Sequence, residues 1–230
     1  MLADKYSAVR QQIRLACENA ARSPDSVALL AVSKTRSADE VRELSHCGQR
    51  AFGENYLQEA LDKIDALSGL DLEWHFIGPI QSNKTRPIAE HFDWVHSVDR
   101  LKIASRLSEQ RPVQLPPLNI CLQVNISDEA SKSGCTPDEL PALADAVARL
   151  PNLRLRGLMA IPKPEDNPQR QRAVFAQVRQ LLEQLQHTQP ALDTLSMGMS
   201  ADTEAAILEG STMVRVGTAL FGPRNPPSTR

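Results

Sequence analysis

Val27-Ala28-Leu29-Leu30-Ala31-Val32-Ser33 is an apolar run closed by a serine, and it stops abruptly at Lys34-Thr35-Arg36. So short a run, apolar on both alternate positions, suits a strand buried on both faces, the habit of parallel sheets. Upstream, Asp4 to Arg22 spaces Val9, Ile13, Leu15, Ala16 and Ala20 at roughly helical intervals, and Pro24 stops the pattern. Downstream the two patterns alternate. The spacing predicts helices over 37–47 (Ser37 as N-cap), 57–67, 83–91, 101–109, 137–150, 168–187 and 203–209. Between them it predicts strands over 50–52, 74–77, 94–98, 119–124, 153–159, 194–196 and 213–216.

Eight strands alternating with helices imply an α/β chain whose parallel sheet closes into a single (β/α)8 TIM barrel, with an extra N-terminal helix. An open doubly wound sheet is the rival architecture. The barrel is assigned to residues 1–222. Residues 223–230, with three prolines and no apolar anchor, are expected to form a loose C-terminal tail.

Composition narrows the partners. At 230 residues and 41% hydrophobic, the chain fits one large domain with an ample core. A net charge of −2 and only 4% aromatic residues leave neither a basic stripe nor a stacking platform, so no nucleic-acid partner is expected. Cys17, Cys47, Cys121 and Cys135 form no C-x-x-C pair and read as scattered thiols of a reducing compartment. No apolar run approaches the ~18 residues of a membrane span. A cytoplasmic protein with no membrane partner is the resulting expectation.

Barrels of this type bind ligands at the carboxyl ends of their strands, and phosphate often sits in the loops after the seventh and eighth. Those loops are Gly198-Met199-Ser200 and Gly217-Thr218. The glycines allow close backbone approach, and the hydroxyls of Ser200 and Thr218 add donors. Free amides where a helix begins after Ser200 would also face an anion. Together they read as a phosphate cradle, although either loop alone reads as an ordinary turn. Lys34 starts at the barrel rim, where partial desolvation lowers an amine's pKa and makes it a nucleophile for an aldehyde. That position suits aldolase-type chemistry as well as a Schiff base with pyridoxal 5′-phosphate (PLP). Arg215 lies between Val214 and Val216 in a buried strand and must meet a polar partner. That partner is either a carboxylate such as Glu54, or a ring nitrogen or phosphate beside Gly217-Thr218.

Several motifs in order then resemble one family: Ala31-Val32-Ser33-Lys34, Phe52-Gly53-Glu54-Asn55-Tyr56, Trp74-His75-Phe76-Ile77-Gly78, Gln81-Ser82-Asn83-Lys84, Gly157-Leu158-Met159, Ser196-Met197-Gly198-Met199-Ser200 and Arg215-Val216-Gly217-Thr218. From about Ala8 to Gly222 the chain resembles the pyridoxal-phosphate homeostasis proteins. The resemblance implies a PLP-bound barrel similar to the N-terminal domain of alanine racemase. Lys34 matches the lysine that holds the cofactor as a Schiff base, and Asn55 a residue near its ring. Ser200, Gly217 and Thr218 match the phosphate-binding positions with Met199 beside them, and Arg215 the arginine facing the pyridine nitrogen. His75, near a strand end, is expected to line the pocket.

A guanidinium cannot take a proton from the ring nitrogen, so the ring stays neutral and stabilises a carbanion poorly. Racemases that share the barrel add a C-terminal β domain and a tyrosine base. Here the chain is expected to end shortly after Gly222, and its only tyrosines are Tyr6 and Tyr56, neither placed as a second base. The expected function is storage or exchange of PLP in its intracellular homeostasis, by a monomer with no assigned catalytic residue. Apo PLP-dependent enzymes are the candidate acceptors. A weak amino-acid racemase is the alternative; a regulatory protein docking by its outer helices is a third reading, with no apolar stripe to support it. His91 and His96 lack a third ligand, so no metal is assigned. Cys47 and Cys135 read as ordinary thiols. The loop Ser127–Gly134 reads as a mobile lid, its Lys132 as a solvated lysine or a phosphate contact.

Overall fold

The computed structural model describes residues 1–127, 130 and 133–224. Its strands are β1 (Ala28–Val32), β2 (Ala51–Glu54), β3 (Glu73–Phe76), β4 (Trp94–Val98), β5 (Leu118–Gln123), β6 (Leu153–Met159), β7 (Thr194–Met199) and β8 (Met213–Val216). Each pairs in parallel with the next, and β8 returns to β1 with Leu30 opposite Arg215, closing the barrel. The helices are α1 (Leu2–Asn19), α2 (Ala38–His46), α3 (Leu57–Ala66), α4 (Thr85–His91), α5 (Leu101–Gln110), α6 (Leu140–Ala148), α7 (Pro168–Gln186), α8 (Thr203–Leu208) and α9 (Thr218–Phe221). The expected barrel with its extra N-terminal helix is the observed architecture, and an open sheet is excluded by the β1–β8 pairing.

Strand alternation sorts the core into two layers. Outward residues such as Leu29, Ala31, Phe52, Phe76, Val95, Ile120 and Val214 pack under the helices. Inward residues Leu30, Ile77, Trp94, Cys121, Met159 and Met213 fill the barrel. Phe52, Phe92 and Phe175 are almost wholly buried, each worth about 1.5–3 kcal/mol of hydrophobic stabilisation. Gly157 has a steric reason: a Cβ there would lie 1.8 Å from the Thr194 carbonyl oxygen, so any side chain would force β6 and β7 apart.

The helix starts follow local chemistry. Ser37 Oγ accepts the Glu40 N–H while the Glu40 carboxylate accepts the Ser37 N–H, a reciprocal cap on α2. Val9, Ile13 and Ala16 form the buried stripe of α1, which packs against α2, α8 and α9. Leu15 stands off that stripe and is exposed. The helix also ends earlier than Pro24 suggests: Ala21 turns left-handed at φ 54°, and the Arg22 N–H reaches back to the Cys17 carbonyl. Strand β7 runs on to Met199, so α8 begins only at Thr203, and a short α9 follows Gly217 where sequence suggested only a loop. Of the expected tail only Pro223 and Arg224 are described; the rest lies outside the described residues. The same holds for 128, 129, 131 and 132 of the expected lid, Lys132 included.

Candidate functional site at the barrel mouth

Lys34, Asn55, Met199, Gly217 and Thr218 all emerge at the carboxyl ends of β1, β2, β7 and β8. Because β1 is flanked by β2 and β8, register fixes their proximity: Val32 is level with Gly53, and Ala31 with Val216. A Cβ on Gly217 would lie 3.4 Å from Val32, so the β8 turn packs directly on the strand that carries Lys34. Lys34 itself is half-buried, and its amine is lowered from the ordinary lysine range, first by desolvation and then by the nearby Arg224 charge.

The Lys34 turn is pinned on both sides. Lys63 of α3 donates to the Ser33 carbonyl (2.6 Å), to Glu54 Oε1 (2.7 Å) and to Glu59 Oε1 (2.7 Å). Ser33 Oγ donates to Glu54 Oε1 at 2.7 Å. Burial pushes the Glu54 carboxyl up, and Lys63 and Ser33 pull it down. After Lys34, Thr35 turns left-handed at φ 64°, a conformation costly for a β-branched residue.

Arg215 points into the barrel and is 4% exposed. Its Nη1 donates to Ser196 Oγ at 2.8 Å and its Nη2 to the Ala160 carbonyl at 2.9 Å. Burial lowers it to about 10, which still leaves it charged at neutral pH. Glu54, the carboxylate considered as its partner, is taken by Lys63 instead. Among the described residues no carboxylate forms an ion pair with Arg215.

The remaining candidates separate. Met199 is exposed at the mouth; its N–H donates to the Asp202 carboxylate, and its carbonyl accepts from Thr203. Ser200 and Thr218 are exposed beside it. His75 does not line the mouth. It lies inside the barrel with no exposed surface, Nε2 against Glu73 Oε1 (2.6 Å) and Nδ1 against His96 Nε2 (2.8 Å). The physical reason is that His75 is the third residue of β3, mid-strand and inward-facing, whereas the mouth begins at Gly78. His96 is buried beside it while His91 is exposed on α4. The four cysteines are free, and burial pushes Cys121 and Cys135 up to about 12, far from a reactive thiolate. Lys63, Glu59 and Ser196 are the structural contributors that sequence reading overlooked.

Beside this ring a cavity of ≈ 300 Å³ opens between Asn55, Ile77, Gln123, Asn125, Ser133 and Ile161. Asn55 Oδ1 is buried there without a hydrogen-bond partner. Buried polar atoms are rarely left so, and an acceptor without a donor marks a place for a ligand. A desolvated amine and a buried guanidinium with no ion-paired carboxylate fit an anionic aldehyde with an aromatic nitrogen.

A parallel barrel with these groups at its mouth defines the alanine-racemase-like class, and residues 5–225 match the family described as alanine racemase, N-terminal domain. Solved alanine racemase from Corynebacterium glutamicum is alike in fold (TM-score 0.70, 18% identity), the likeness covering 97% of this chain and 62% of that one. Much nearer is the pyridoxal phosphate homeostasis protein of Pseudomonas aeruginosa, 66% identical over 97% of this chain and 96% of that one. The Escherichia coli protein of the same name is 56% identical over 97% of each chain. PipY of Synechococcus elongatus, solved with PLP bound, superposes with a TM-score of 0.85 at 40% identity, covering 96% of this chain and all of the other. The chain belongs to the pyridoxal phosphate homeostasis protein family.

Proposed function

We propose that this protein binds PLP and serves its homeostasis, holding the cofactor covalently through the Lys34 amine for storage or exchange. The observation that carries the reading is the desolvated lysine next to the Gly217-Thr218 turn, in a chain whose relatives are named for PLP homeostasis and include one solved with PLP bound. Ser200, Gly217 and Thr218 would hold the phosphate with Met199 beside them. Asn55 would lie near the ring, and Arg215 would donate to the ring nitrogen. When bound, the cofactor supplies an aldehyde to the amine and an electron sink to anything attached there.

Arg215 weakens that sink. A charged guanidinium donates to the ring nitrogen but cannot accept its proton, so the ring stays neutral. Of the two tyrosines, Tyr6 lies on α1 and Tyr56 is exposed before α3, and neither is assigned as a second base. Retention outweighs turnover, and weak racemase activity is the secondary reading. Transfer to apo PLP-dependent enzymes, a monomeric state and a cytoplasmic location belong to the same proposal; the free cysteines suit a reducing compartment. Among the described residues no helix is long and apolar enough to cross a membrane.

An absorbance spectrum of the PLP-loaded protein tests the core claim. A visible band that Lys34→Ala removes supports it, and a band indifferent to that substitution refutes it. Mixing loaded protein with an apo PLP enzyme tests exchange: activation of the enzyme is expected, and none over hours refutes it. Robust alanine or serine racemisation abolished by Lys34→Ala would favour the racemase.

A further inference from the structure

A line of polar side chains crosses the barrel interior. It runs from Arg215 on β8 to Ser196 on β7, His96 on β4, His75 on β3 and finally Glu73, the first residue of β3. The successive separations are 2.8, 2.7, 2.8 and 2.6 Å. Arg215, Ser196, His96 and His75 are all buried, whereas Glu73 is half-exposed at the amino-terminal end, opposite the mouth. Trp94 stacks on His75 at 5.2 Å between ring centroids, walling the line from water.

The chemistry of the two ends sets the direction. A guanidinium only donates, and a carboxylate only accepts. With neutral imidazoles between them, one arrangement of protons makes every bond. Arg215 donates to Ser196 Oγ, whose hydroxyl donates to His96 Nδ1. His96 Nε2–H donates to His75 Nδ1, and His75 Nε2–H donates to Glu73. Reversing the line would leave a bare imidazole nitrogen facing a carboxylate unless His75 became a cation inside the barrel. Burial opposes that, lowering both imidazoles from the ordinary histidine value, His96 the further, while Glu73 is drawn down by its bond from His75. Among the described residues no carboxylate forms an ion pair with the guanidinium; Asp202 is the carboxylate whose charge acts on it, while Glu73 is acted on by His75 and Arg156.

We infer that Glu73, at the far end of the barrel, is the terminal acceptor of a one-way hydrogen-bond chain that begins at Arg215 and fixes its guanidinium as a donor toward the cofactor ring. Ser196, His96, His75 and Glu73 are thus positioning residues for PLP retention. The inference rests on the proposed placement of PLP against Arg215, but the chain is testable without the cofactor. Because each link passes charge density to the next, polarised bonds in a dry interior reinforce one another.

The first measurement is imidazole nitrogen NMR on PLP-free protein at neutral pH, with the three exposed histidines His46, His91 and His187 replaced by Gln so that only two rings report. Both are expected as neutral Nε2–H tautomers. An imidazolium, or an Nδ1–H tautomer at either ring, overturns the chain. The second uses Glu73→Gln, which keeps an acceptor for His75 and removes the charge at a half-exposed position. The Lys34 band is expected still to form but at a shifted wavelength, with PLP released roughly threefold to thirtyfold faster. An unchanged band and release rate overturn the positioning role of Glu73. If the unsubstituted protein shows no Lys34 band at all, the proposed function fails while the imidazole spectra still decide the chain.

Discussion

The Thr35 N–H donates to Glu59 Oε1 across 2.5 Å, and that bond holds Thr35 at φ 64° immediately after Lys34. A β-branched residue in the left-handed region stores about 1–3 kcal/mol of strain. Glycine would relieve it but lose about 0.4–1 kcal/mol through a freer unfolded chain. Thr35→Gly is therefore expected to stabilise PLP-free protein by about 1 kcal/mol in urea unfolding. It is also expected to release PLP faster, because the turn that aims Lys34 loosens. A destabilised variant would show that the turn carries no strain.

The other anchor of that turn is an ion pair, Lys63 with Glu54, both almost fully buried. Removing one partner strands the other, at a cost of about 3–5 kcal/mol. Lys63→Met is expected to lose that much, whereas Lys63→Met combined with Glu54→Gln regains a large part of it, since the amide then replacing the carboxylate carries no charge and still accepts from Ser33. Equal stability of the single and double variants would remove Glu54 as the cause.

What the sequence shows and hides follows from the same residues. A polar residue ending an apolar run, as Lys34 does, or interrupting one, as Arg215 does, is visible because burial makes it expensive. Eight alternations of strand and helix likewise point to a closed barrel. Lys63 is not visible, since a lysine on an amphipathic helix reads as solvated surface, and only the packing of α3 against the Ser33 turn buries it. His75 and His96 sit 21 residues apart, and their contact depends on the β3–β4 register, in which His75 lies opposite Trp94. The available signal was positional: both occupy inward places beside apolar inward neighbours, Ile77 after His75 and Trp94 before His96.

Those two histidines make stability depend on pH. Burial lowers both from the ordinary value of 6.5, so the unfolded chain protonates them first as the solution is acidified. The stabilisation is complete above that value and is lost as pH falls toward the lowered native values, with a slope approaching about 2.7 kcal/mol per pH unit for two groups. Glu54, Asp93 and Asp202, each raised by burial, act in the opposite sense, because the native state holds their protons more tightly than the unfolded chain does. The steep fall is therefore expected just below pH 6.5, read as urea midpoints at pH 7.5, 6.5 and 5.5. A flat profile across that interval would mean that the rings are charged in the native state.

Gly78 tests whether Asn55 matters as a ligand. A Cβ at residue 78 would lie 2.4 Å from the Asn55 carbonyl oxygen and 2.8 Å from its Cα, so the backbone of Asn55 has to move. Gly78 has no left-handed φ, so Ala costs packing and not conformation. Overpacking of this kind costs about 1–3 kcal/mol. Because the displaced segment carries the orphaned Oδ1, Gly78→Ala is expected to weaken PLP retention beyond what its stability loss explains. Gly69→Ala is the control: a Cβ there meets nothing within 4 Å, so both stability and retention should hold. If Gly78→Ala instead lost stability yet retained PLP like the unsubstituted protein, Asn55 would be a packing residue at the mouth, and the ring would have to be held by Lys34 and Arg215 without it.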